Sequence, residues 1–194
     1  MTDSVYQRVL GTELVGLKPE LQLYFSGHAG VGVGHGVFEV AGSRFRILRP
    51  VLAYLAWRRI LFPEYERDVP FEIRNTPTPD GRLDAIRTFH FKGRDRPLED
   101  TMRVVNGQLH DFLGKRRGFE VRMRLSITNG LLHMRSDRQW LHLGRIRIRL
   151  LPVASVTVNE SWVDGAQHVD VRLRSPLVGE WFRYAGTFSY QYAD

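Results

Sequence analysis

The sequence predicts an α+β chain in which a mostly antiparallel, strongly curved sheet, half-barrel or barrel-like, is covered by N-terminal helices. Three observations lead there. From Val69 to Tyr192 apolar residues recur at a period of two, the signature of strands with one buried face. The runs are separated by Asn106-Gly107, Asn129-Gly130 and Asp164-Gly165, dipeptides that suit tight hairpins, and strands joined by short turns run antiparallel. Two earlier segments, 1–26 and 50–62, carry helical spacing instead. At 194 residues and 43% hydrophobic, the chain is read as one domain, 1–194, whose β-rich part is 69–192.

In the opening segment Tyr6, Leu10, Leu14 and Leu17 recur near the 3.6-residue period, and Thr2, Asp3 or Ser4 caps the first turn. Pro19 suits the first position of a second short helix with Leu21, Tyr24 and Phe25 on one face, ended by Gly27. The glycine run 27–36 fits neither the Walker nor the dinucleotide spacing, so it reads as a connection or a glycine-rich strand closely approached by another backbone. Pro50 opens a helix running to Phe62 and stopped by Pro63. Its apolar residues cover most of its circumference, which favours a core helix over one lying in a membrane interface.

The expected strands then follow at Val69–Arg74, Leu83–Phe91, Thr101–Val105, Phe119–Ile127, Leu131–Arg135, Arg145–Leu150, Val153–Trp162, His168–Arg174 and Trp181–Tyr192. Phe119, Val121, Met123, Leu125 and Ile127 oppose Glu120, Arg122 and Arg124 across one of them. Ile146 and Ile148 oppose Arg145, Arg147 and Arg149 in another, and Val169, Val171 and Leu173 oppose Asp170, Arg172 and Arg174 in a third. One face is therefore expected to be apolar and the other wet and basic.

The absence of cysteine excludes disulfides, thiolate nucleophiles and cysteine-containing metal sites. The N-terminus has no basic run followed by an apolar core, which predicts a cytoplasmic chain without a signal peptide. As a helix, 50–62 would span roughly 20 Å, short of the roughly 30 Å hydrocarbon core of a bilayer, and Arg58 and Arg59 interrupt it. The net charge of +7 is carried mostly by arginine, only Lys18, Lys92 and Lys115 being lysines. The strand alternation sets apolar residues opposite the arginine rows, whereas base-stacking readers interleave exposed aromatics with basic residues on one face, so nucleic acid ranks last among partners.

The order of several short motifs resembles a bacterial family of unknown function, number 4166. These are Tyr6-Gln-Arg-Val-Leu-Gly11, the helix ending Leu61-Phe62-Pro63, Asp68-Val69-Pro70, Glu160-Ser-Trp162-Val-Asp164-Gly165, Asp170-Val171 and Pro176-Leu-Val-Gly179. The resemblance implies a domain found alone or attached to an NAD(P)-binding oxidoreductase-like domain, hence a small-molecule or redox setting and an oxidoreductase as a partner. It supplies no catalytic residues.

The histidines lack the spacings that present two ligands to one metal, and no metal site or cofactor is predicted. His168 and Asp170 share a strand face about 7 Å apart at roughly 3.3 Å rise per residue, which is half a metal site, an acid/base pair or, the favoured reading, an ordinary solvated face. Glu160 stands in the apolar row of Val156, Val158 and Trp162, so its carboxylate faces inward. A buried carboxylate is either ion-paired, the favoured reading with so many arginines, or has a raised pKa suited to proton transfer. The aromatic row of Phe182, Tyr184, Phe188, Tyr190 and Tyr192 completes a core or lines a cavity.

Three functions follow in order. The first is binding of an apolar small molecule or lipid in a cavity, with Glu160, Trp162, Phe182, Tyr184 and Trp57 as ligand-binding candidates. The second is an enzyme using that cavity on a small metabolite, beside the oxidoreductase implied by the resemblance, with Glu160, His168 and Asp170 as catalytic candidates. The third is a basic surface that contacts anionic lipid at the membrane periphery or nucleic acid.

Overall fold

The computed structural model describes residues 3–27, 30–151 and 154–192; the expected cap at Thr2, His28 and the strand start at Val153 lie outside these. The chain opens with α1 (Val5–Leu10), a 3-10 stretch (Gly11–Gly16) and α2 (Pro19–Phe25). Ser4 caps α1 in a reciprocal capping box with Gln7, satisfying donors the first turn leaves free. After β1 (Gly32–Gly42) comes α3 (Arg49–Trp57) and then β2 (Tyr65–Glu66), β3 (Val69–Pro77), β4 (Leu83–Phe91), β5 (Arg94–Val105) and β6 (Gln108–Leu113). The remaining strands are β7 (Phe119–Thr128), β8 (Leu131–Leu143), β9 (Ile146–Arg149), β10 (Ser155–Val163), β11 (Ala166–Ser175) and β12 (Gly179–Tyr192).

Ten of these strands form a closed antiparallel barrel in the order β10-β11-β12-β1-β3-β4-β5-β6-β7-β8, and β8 returns to β10. The closing seam is four residue pairs long, from Thr157↔Arg135 to Glu160↔Leu132. Of the expected half-barrel or barrel, the chain forms a closed barrel, and the α+β assignment is corrected to a mostly β chain with three short α-helices among the described residues. Closure removes the open edges a half-barrel would leave, and bulges at Phe38/Val40, Arg122/Met123 and Leu173/Arg174 supply curvature. The glycine-rich strand is required where β1 meets β12. A Cβ on Gly36 would fall on the Thr187 carbonyl oxygen, and one on Gly186 on the Phe38 backbone.

The helices sit at opposite ends of the barrel and do not form a layer over the sheet. The N-terminal pair is tied to the β3–β4 turn by Arg8, which donates to the Gly81 carbonyl, and to the β7–β8 turn by the Lys18 amide, which donates to Gly130. Leu10, Leu17, Leu21 and Phe25 pack there against Leu109, Val121 and Met134. The segment that follows α3 closes the other end, where the Arg58 carbonyl accepts from Lys115 between β6 and β7. This helix stops at Trp57, not Phe62. Arg59 takes a left-handed conformation (φ 59°) that turns the chain, and Leu61 and Phe62 drop into the core. Leu52 is the one fully buried residue of α3, so the core-helix expectation holds for one stripe alone.

Two further corrections concern strands. β5 begins seven residues before the expected Thr101, and β6 was not expected. β9 pairs beside the end of β8, outside the barrel, and Ile146 and Ile148 are exposed, so its alternation marks no core face.

Candidate functional site

The inward rows of β4, β5 and β6 carry charge. Register places Leu98 opposite Arg87, Ala85 opposite Asp100, Leu113 opposite Asp100, and Met102 opposite Asp111. Arg87, Asp100 and Asp111 therefore follow one diagonal across three adjacent strands, close enough for long side chains to meet. Arg87 forms an ion pair with Asp100, which is 2% exposed. One oxygen of each carboxyl, Asp100 Oδ1 and Asp111 Oδ1, is buried without a hydrogen-bond partner. Burying a polar atom in this state costs roughly 1–3 kcal/mol, so the fold carries a penalty that packing alone does not call for.

These groups lie on a cavity of about 280 Å³ whose other walls are mostly apolar, among them Leu55, Ile60, Phe71, Met123, Val158 and Trp181. Glu160 and Tyr184 also line it, from β10 and β12, and Tyr6 and Tyr24 reach it from α1 and α2. The Tyr6 hydroxyl contacts Met102 Sδ at 3.3 Å, and Asn75 donates to the Tyr24 hydroxyl at 3.2 Å.

Burial dominates the electrostatics. It pushes the Glu160 carboxyl up to about 7, against the opposing pull of the Gln167 amide and the Arg87 charge. Asp111 is raised well above the carboxylate range by burial and then by the negative charge of Asp100, which outweigh Arg87 and Arg117. Burial alone would lower Arg87, but the Asp100 carboxylate holds it firmly protonated. Tyr184 is pushed by burial up to about 12 and stays a neutral donor. The cavity floor thus offers a fixed ion pair, an Asp111 whose protonated form, able to donate or accept, is favoured by burial, a Tyr184 hydroxyl, and a Glu160 that changes charge near neutral pH.

The sequence candidates fall in different places. Glu160 faces the cavity, 6% exposed, but the expected ion pair is replaced by a hydrogen bond from Gln167. Tyr184 lines the cavity; Phe182 is buried beside Phe62 and lies off it. Trp162 packs against the cluster around the N-terminal helices, and Trp57 is 64% exposed at the end of α3, so neither contributes to the cavity lining. Gln167, Val169 and Val171 are buried along β11, and alternation sets His168 and Asp170 on the outer face. There Asp170 takes Arg172 at 2.6 Å and Arg183 at 3.0 Å, which hold it below its ordinary value despite burial.

The outer arginine rows are partly neutralised. Arg122 and Arg124 both reach Asp137, at 2.6 and 2.7 Å. Glu120, buried on the outer face, is held by His110, His142 and Arg147, each at 2.6 Å, with Arg147 stacked 4.0 Å over Trp140. Among the described residues no group of three or more His, Asp or Glu is placed to hold a metal ion.

Fold and site together define a class, a closed antiparallel barrel around an apolar cavity floored by buried ionisable groups. The chain belongs to the family described as Domain of unknown function (DUF4166), matched over residues 17–188. The opening motif at Tyr6–Gly11 lies before the matched residues. No curated protein and no solved structure matches the chain.

Proposed function

We propose that the barrel binds a small, mostly apolar molecule or lipid whose single polar group is recognised on the cavity floor. The observation that carries this reading is the pair of buried, partnerless carboxyl oxygens, Asp100 Oδ1 and Asp111 Oδ1, on a cavity with apolar walls. Natural proteins keep such groups where a ligand or water completes them. A cavity of about 280 Å³ suits a compact ligand, or the end of a longer chain. The matching polar group is uncharged and both donates and accepts, as a hydroxyl or amide does. A neutral Asp111 accepts its proton or donates to its oxygen, and Tyr184 donates alongside.

The test is organic extraction of purified protein followed by mass spectrometry, with titration by Nile red as a neutral apolar probe. A recovered apolar compound that Nile red displaces, or is displaced by, supports the reading. Empty protein in repeated preparations together with no saturable Nile red binding overturns it.

A second reading, proton transfer on the bound molecule, is favoured by Glu160, whose carboxyl is poised near neutrality inside the same cavity. It requires that Glu160→Gln fold normally and lose turnover of the extracted compound. Retained turnover refutes it.

A further inference from the structure

The exposed face of α3 belongs to neither the barrel core nor the cavity floor. Ile47, Val51, Tyr54 and Trp57 recur at spacings of four, three and three along this segment and are 85%, 58%, 55% and 64% exposed. Leu48, Leu52 and Leu55 form a second, neighbouring stripe that turns into the barrel, and Leu55 lines the cavity. The exposed stripe is therefore the outer surface of the cavity's own end wall. Leu177, 93% exposed, and Val178 add to it from the β11–β12 turn at the same end, where the Ser43 hydroxyl donates to the Trp181 carbonyl and Phe62 packs on Phe182.

The charges around this stripe are mostly basic. Residues 40–63 contain no acid, and Arg44, Arg46 and Arg49 are exposed along them. Lys115 and Arg116 are exposed in the β6–β7 turn, which is bonded to the Arg58 carbonyl. Acids at this end are engaged by arginines, Glu99 by Arg59, Glu64 by Arg96, and Glu180 by Arg172 and Arg174. Apolar and aromatic side chains on a helix flanked by arginines match a bilayer boundary, where apolar groups enter the acyl edge and cations meet phosphates. A second copy of the chain is a poorer occupant, because a two-fold contact would bring the same arginines face to face.

We propose that this end of the barrel docks on an anionic phospholipid bilayer. Ile47, Val51, Tyr54 and Trp57 enter the headgroup boundary, Arg44, Arg46, Arg49, Lys115 and Arg116 meet the phosphates, and the cavity's end wall faces the membrane. That the cavity draws its ligand from the bilayer rests on the binding reading above; the docking itself does not.

The experiment uses the full chain with phosphatidylcholine vesicles, with and without phosphatidylglycerol, followed by sedimentation and tryptophan emission. The protein is expected to sediment with the anionic vesicles, less so in high salt, with a blue shift that Trp57→Phe removes. Val51→Asp combined with Tyr54→Ser lowers partitioning roughly ten-fold or more, while circular dichroism and Nile red binding stay unchanged, since both side chains point away from the cavity. The proposal is overturned if the wild type stays in solution with anionic vesicles. It is equally overturned if Trp57 remains open to an aqueous quencher on the vesicle, or if the stripe is instead buried in a concentration-dependent dimer or an acidic protein partner. Sedimentation by a protein with an empty cavity would remove the ligand reading and leave docking standing; a filled cavity without sedimentation would do the reverse.

Discussion

Glu160→Gln turns the buried carboxyl into a measurement. In the unfolded chain this group titrates near 4.5, and in the folded barrel burial raises it to about 7. Between those values the unfolded chain has lost a proton that the native state retains, so stability falls as pH rises through the window. The favourable difference is fully present below 4.5 and gone above about 7. That gap, at about 1.4 kcal/mol per pH unit, amounts to about 3 kcal/mol. Because the side chain is 6% exposed, solvent screening removes little of it. Glutamine keeps the hydrogen bond with Gln167 by turning its amide and carries no titrating proton. Urea unfolding of wild type and variant at pH 4.5 and pH 8 is expected to give a double difference of about 3 kcal/mol in the variant's favour at the higher pH. In a chain of this length that corresponds to a relative rise in Tm of roughly 6–12 °C. A double difference within about 0.5 kcal/mol would refute the reasoning, and one of opposite sign would mean that the carboxylate is ion-paired after all.

Arg87→Met leaves Asp100 buried without its cation and is expected to cost about 3–5 kcal/mol, read by urea unfolding; adding Asp100→Leu should restore most of the loss. Asp111→Leu removes a partnerless buried oxygen and is expected to raise stability by about 1–3 kcal/mol, while an extracted ligand that hydrogen-bonds the floor loses affinity roughly ten-fold or more in isothermal titration. Gly36→Val sets a side chain into the Thr187 carbonyl where β1 and β12 cross, so the variant should lose the native near-ultraviolet circular dichroism; Val37→Thr, at an exposed neighbour, should keep it.

Glu160 was legible because the inward row of its strand is otherwise apolar, so a carboxylate there stands out. The same alternation applies to Arg87 between Ala85 and Phe89, to Asp100 between Leu98 and Met102, and to Asp111 between Leu109 and Leu113. These escaped because the local signal around them is weak. Residues 94–100 read Arg-Asp-Arg-Pro-Leu-Glu-Asp, with charge on both faces of β5: Glu99 pairs outward with Arg59 and Asp100 inward with Arg87. The six-residue β6 carries His110 and Asp111 on opposite faces, and the outer one is hidden by Phe112 and Trp140 stacking around His110. Barrel closure depends on β8 meeting β10, a pairing that no turn announces. The exposure of Trp57 was equally unreadable, since a helix apolar on two stripes does not declare which one the barrel takes.

The two seams of the barrel also set an order of events during synthesis. Strands β3 to β8 form from neighbouring hairpins, as do β10 to β12; β1 pairs with β3 on one edge, but its other edge waits for β12, and β8 waits for β10. Arg87, Asp100 and Asp111 belong to the first group of hairpins, and Glu160 and Tyr184 to the second. The β8–β10 seam can join the two groups before residues 179–192 exist, but Tyr184 and the β1–β12 seam are missing until then, so the cavity is completed by a pairing between strands far apart in sequence.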